Sequence, residues 1–120
     1  MNIITKYYNY ACCLLEDFIP YVPELRLTNA KKYCGQFDKR GQYPVIRISK
    51  WNHVDEMWLM DNEDHLEIID TICHELAHTI EMKHTDFHEK ATKAFKKIVF
   101  NGLVKLGVAE FESGGVSNAS

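Results

Sequence analysis

The sequence predicts an α+β domain: an N-terminal helix and a small antiparallel or mixed sheet packed on two further helices. Three observations carry this. Apolar residues recur at helical spacing from Ile3 to Ile19, from about Glu63 to Met82, and again beyond Phe87. Between Glu24 and Ser49 the period shortens to that of strands. Pro20, Pro23 and Pro44 separate these stretches, as residues that stop helices and start or border strands. With 120 residues, 46% hydrophobic and 26% charged, the chain can bury one real core but not two. We read 1–110 as that single domain and 111–120, rich in Gly and Ser, as a flexible tail.

The first helix follows from Ile4, Tyr7, Tyr8, Ala11, Leu14, Leu15 and Phe18, whose aromatic stripe reads as core. Short strands follow at Leu25 and Leu27, at Tyr33 to Phe37, and at Val45-Ile46-Arg47-Ile48. The polar, glycine-containing turn Asp38-Lys39-Arg40-Gly41-Gln42 makes the last two a hairpin. Pro44 lacks an N–H, which favours a sheet edge or a strand start there; an exposed edge can accept an extended peptide, whereas a strand paired on both sides cannot. Trp51 to Asp64 reads as a loop with a short helical turn, and Asp61-Asn62-Glu63-Asp64 as the acidic start of the next helix. Along that helix Leu66, Ile69, Cys73, Leu76, Ala77 and Ile80 form an apolar stripe. The last helix carries Phe87, Ala91, Ala94, Phe95, Ile98 and Val99 inward, is solvated by Lys90, Lys93, Lys96 and Lys97, and stops at Gly107.

The stretch that points to chemistry is Cys73-His74-Glu75-Leu76-Ala77-His78. Residues four apart lie about 40° apart around a helix, so His74 and His78 offer two imidazoles to one metal ion, and Zn²⁺ is the ion such a pair suits. Glu75 is poorly aimed as a ligand but can reach a metal-bound water and take its proton. A third ligand is needed. Six residues rotate an unbroken helix by about 240°, so His84 reaches the site only if the chain turns near Glu81 to Lys83, with Thr85 or Asp86 capping a new helix. His84 is preferred on spacing; His88 is the rival and Glu81 a weaker one. For stabilising an oxyanion, His88, Tyr43 and Tyr10 are candidates. His53 and His65 read as surface or packing residues.

Composition limits partners and place. No apolar run approaches the length of a membrane span, and Met1-Asn2-Ile3-Ile4-Thr5-Lys6 lacks a signal-peptide pattern. Cys12, Cys13, Cys34 and Cys73 form neither a CxxC pair nor a disulfide framework, so they read as reduced and mostly buried in a cytoplasmic chain. A net charge of −3 disfavours general nucleic-acid binding.

Ile46-Arg47-Ile48-Ser49, then Ile68 through His78 with its HExxH motif, then His84 and Phe87, together resemble the small zinc metallopeptidases of the SprT-like, WLM and YgjP-like group. The resemblance covers roughly Tyr33 to Phe100. It implies a minimal gluzincin-like core, a Zn²⁺ cofactor held by His74, His78 and His84, Glu75 as catalytic carboxylate, and Ile46 and Ile48 on the strand that meets a protein or peptide substrate. Some members degrade proteins crosslinked to DNA, which implies DNA-associated protein as one possible substrate. The glycine near the third histidine and the zinc ribbon of many SprT-like proteins are missing, which favours the YgjP-like or WLM branch. Metzincins usually have glycine where Glu81 stands, and a later methionine turn. Two other functions compete: a metal-dependent ribonuclease similar to the YbeY type, which normally lacks a glutamate after the first histidine, and a non-catalytic interaction domain stabilised by zinc.

Overall fold

A computed structural model describes residues 3–39, 43–52, 57–58 and 65–105. The architecture is α+β. In chain order it comprises α1 (Ile3–Leu14), β1 (Glu24–Thr28), β2 (Gly35–Asp38), β3 (Val45–Ser49), β4 (Trp51–Asn52), β5 (Met57–Trp58), α2 (His65–Ala77) and α3 (Asp86–Lys105). Within the described residues, no helix is long and apolar enough to cross a membrane. Asp61 to Asp64, His53, the side chain of His65, Gly107 and the tail from 111 lie outside the described residues.

Helix α1 is shorter than its apolar period. The chain leaves the helix after Leu14 in tight turns, with Phe18 N–H donating to Leu15 O at 2.8 Å and Ile19 N–H to the same carbonyl at 3.1 Å. Those turns keep Leu15 and Ile19 in the core while Phe18 swings out to 53% exposure. Tyr7 and Tyr8 are buried as expected, and the Tyr8 hydroxyl donates to Pro23 O at 2.6 Å, tying α1 to the approach of β1.

The sheet order is β1-β3-β2, with β1 parallel and β2 antiparallel to β3. The β2–β3 pair is the expected hairpin, but β3 is the central strand and not an edge. Val45, Ile46, Ile48 and Ser49 are all buried, the near-continuous pattern of a strand covered on both faces. Pro44 marks only the strand start, and its carbonyl accepts from Glu24 N–H at 3.0 Å. Ile46 and Ile48 pack in the core, and with β1 and β2 on either side their strand has no open edge on which to hold an extended substrate. The edges are β1 and β2, and of the two it is β2 that borders the cleft. Ser49 N–H donates to Cys34 O at 2.9 Å, so residues 34 and 36 bond β3, and Gly35 and Phe37 direct their backbone groups outward.

Trp51–Asn52 and Met57–Trp58 form a two-stranded antiparallel ladder where a loop with a helical turn was expected. The core joins α1, the inner face of the sheet, α2 and α3. In α2 the buried arc is wider than the expected stripe: Ile68, Ile69, Ile72, Cys73, Leu76 and Ala77 are buried, whereas Leu66 is 58% and Ile80 38% exposed. In α3, Ala91, Phe95, Val99 and Leu103 face inward while Phe87 is exposed. Cys12 and Cys73 are buried but Cys13 and Cys34 are exposed, so only half of the thiols are core residues.

Tyr8→Phe should lower unfolding free energy by about 1–3 kcal/mol, because the buried Pro23 carbonyl loses its donor. Urea unfolding with an unchanged slope checks this, and an unchanged midpoint would show that the bond contributes nothing.

Candidate metal centre

The centre is built where α2 ends. The helix stops at Ala77, five residues before the expected Met82, because the chain tightens: the N–H groups of His78, Thr79 and Ile80 donate to carbonyls three residues back, at 3.1, 3.0 and 3.2 Å. This early stop lets the chain fold back. Thr85 then caps α3, its Oγ1 accepting His88 N–H at 3.2 Å, so Thr85 and not Asp86 is the cap. His84, just ahead of that cap, returns to the end of α2, with its ring 5.3 Å from His74 and 4.8 Å from His78.

One ligand nitrogen from each of His74, His78 and His84 lies within 4.8 Å of the other two. Two nitrogens bound tetrahedrally to one zinc ion stand about 3.3 Å apart, so small ring movements bring the three to coordinating distance. The donor set fits a metal ion. His74 is half-buried, His78 buried and His84 exposed, which leaves the solvent side of the group open.

Hydrogen bonds set the tautomers. His78 Nδ1 lies 2.9 Å from Glu81 O; a carbonyl only accepts, so Nδ1 carries the proton and Nε2 keeps its lone pair for a metal. Glu81 is thereby a support through its backbone, and its carboxylate accepts Lys83 N–H at 3.2 Å within its own loop. Burial and then the neighbouring imidazoles of His88, His78 and His84 hold His74 down to about 4, and burial is also the main cause lowering His78. Both are neutral near pH 7, the form that binds metal.

His88 belongs to the same cluster of rings, stacked on His78 at 4.1 Å, but it does a different job. Because His78 N–H turns to Glu75 O, the His74 carbonyl loses its usual helical donor, and His88 Nε2–H supplies one at 2.9 Å. His88 is 3% exposed and fastens the head of α3 to the end of α2.

Glu75 is only 5% exposed, and burial raises its carboxyl to about 7. It faces a cleft of about 660 Å³ shared with His74, His78, His84 and Met82 on one side and Gly35 to Lys39 and Arg47 on the other. Phe37 sets its ring 5.9 Å from that of His78. Arg47 Nη1 pairs with Asp38 Oδ2 at 3.1 Å across the hairpin.

The sequence-predicted residues His74, Glu75, His78 and His84 thus converge on one cleft. Tyr10, Tyr43 and His88 do not line it. Sequence reasoning missed Gly35, Phe37 and Arg47 as cleft residues; the one available signal was a glycine inside a strand pattern. No family model, curated protein or solved structure matches the chain.

His84→Ala should cut metal affinity by more than the roughly 10–100-fold that outer contacts contribute, while His88→Ala stays within that range. Competition with a chromophoric chelator measures both, and the reverse ranking would make His88 the ligand. A second expectation concerns the metal-free protein. A folded carboxyl at about 7 against the ordinary 4.5 means that stability is lost as pH rises through that window, because only the unfolded chain ionises freely. Glu75→Gln removes this cost. It should unfold at higher temperature than the parent at about pH 8 and at the same temperature near about pH 4; equal curves throughout would show that the carboxyl is not desolvated.

Proposed function

We propose that the chain is a zinc-dependent peptidase, the activity that the resemblance to SprT-like, WLM and YgjP-like proteins implies. The observation that carries this reading is a buried carboxylate in the same cleft wall as three convergent imidazoles, beside an open strand edge. His74, His78 and His84 would hold the ion. Zinc bound by three histidines supplies Lewis acidity and lowers the pKa of water toward 7.

The chain's own residues do the rest. Glu75 takes the proton of the attacking water and returns it to the leaving amine, and a carboxyl near 7 suits both directions of that transfer. The outward backbone groups of Gly35 and Phe37 hold an extended peptide by strand addition, which aligns its carbonyl before attack. The edge expected of β3 is thus supplied by β2. A purely structural zinc would be closed by a fourth protein ligand, whereas here His84 is exposed and the cleft is open. Four free thiols suit a reducing compartment, and we place the activity in the cytoplasm.

Glu75→Gln keeps shape but cannot accept a proton, so cleavage of an unfolded protein should fall at least about a hundredfold with metal content unchanged. Chelator treatment should abolish cleavage as well. Unchanged proteolysis in Glu75→Gln would sink the mechanism, and cleavage of single-stranded RNA without proteolysis would replace it with the ribonuclease.

A further inference from the structure

Gly35 opens β2 opposite Ile48, with backbone geometry that any L-residue adopts, so conformational freedom does not explain a glycine there. Space does. A Cβ on Gly35 would lie 2.9 Å from Glu75 Oε2 and 2.9 Å from Thr71 Cγ2, distances that real Cβ atoms essentially never show, and 3.0 Å from Glu75 Cγ, tighter than most real contacts. Glycine also loses more conformational freedom on folding than alanine does, even at the head of a strand, so the position carries a cost that something must offset.

The same residue borders two hollows. One is the main cleft, and the other, of about 270 Å³, lies between Cys34, Thr71 and Asp70, with Glu75 and His74 common to both. Glu75 therefore stands between two open spaces, and the bare peptide of Gly35 is part of the wall it shares with each. A methyl group at this point meets the carboxylate of Glu75, the far end of a flexible side chain that can swing aside, and also the Thr71 methyl on α2, which must give as well.

We propose that Gly35 is a positioning residue for Glu75. Its missing side chain lets β2 close on α2 and fixes where the carboxylate sits relative to His74, His78 and His84. The catalytic half of this statement rests on the peptidase reading; the geometric half does not.

Four full-length zinc-loaded proteins test it: wild type, Gly35→Ala, Glu75→Gln and the double variant. Displacing a proton acceptor by about an ångström should lower kcat about ten- to a hundredfold in Gly35→Ala, with KM and zinc content little changed. The same change should have almost no further effect in the Glu75→Gln background, because the two residues act as a unit. A kcat equal to wild type, or a loss that multiplies fully with Glu75→Gln, overturns the proposal. Carboxyl ¹³C NMR of glutamate-labelled protein, with the Glu75 resonance identified by its absence in Glu75→Gln, reads the displacement without turnover. A resonance unmoved by Gly35→Ala overturns the proposal whether or not any peptide is cut. A moved resonance in a protein that cleaves nothing supports the placement and removes the peptidase reading. Should Gly35→Ala fail to fold, adding Thr71→Ser removes the Cγ2 contact while keeping the contact with Glu75, and the same outcomes apply.

Discussion

The rest of the centre depends on where α2 stops. Had the helix run on through Met82, His84 would point well away from His74 and His78, and no third imidazole could reach them. Stopping at Ala77 has a consequence of its own: the His74 carbonyl, on the residue that begins the site, loses a helical donor. His88 satisfies it, and Glu81, in the turn itself, accepts a hydrogen bond from His78 Nδ1–H through its backbone carbonyl. The bend that delivers the third imidazole thus also fixes the other two candidate ligands, through one side-chain donor and one backbone acceptor.

A second constraint works against stability. Glu75 is buried without a cationic partner among the causes of its shift, so its ionised form is disfavoured by desolvation alone. A core that sought only stability would place an apolar residue here. Gly35 makes the same kind of sacrifice, giving up strand preference and side-chain packing at a position where alanine would otherwise suit. Two neighbouring residues that each run against stability, in contact with each other and bordering the same cleft, are better explained by the cleft than by the core.

Local pattern made much of this legible. The HExxH spacing, the turn after it and the third histidine are relations between residues within about a dozen positions, and helical geometry connects them directly. The antiparallel hairpin was legible for the same reason. Strand order was not, since whether β3 is an edge depends on β1 returning beside it, and Pro44 favours an edge although the near-continuous burial of Val45 to Ser49, broken only at Arg47, belongs to a central strand. The apolar stripe of α2 was misphased at its ends because Leu66 lies before the core begins and Ile80 after the helix has finished. Gly35 and Glu75 are forty positions apart, and no period relates them.

Strand order in turn decides from which side a ligand can enter. With β1 and β2 on either flank, β3 has no backbone group to offer, and its contribution to the cleft is a side chain, Arg47. That guanidinium is half-buried and held by Asp38 on the neighbouring strand, a pair that draws the end of β2 toward the sheet. Being partly shielded from water, it loses less to screening than the more exposed Arg26–Glu24 pair, which is worth little. Hairpin pairing on one side, the ion pair at its end and the packing of Gly35 against α2 hold β2 in place without using its outer edge. Its outer edge, running from Gly35 past Phe37 beside the three imidazoles, is the one backbone surface of the sheet that both faces the cleft and retains groups directed outward.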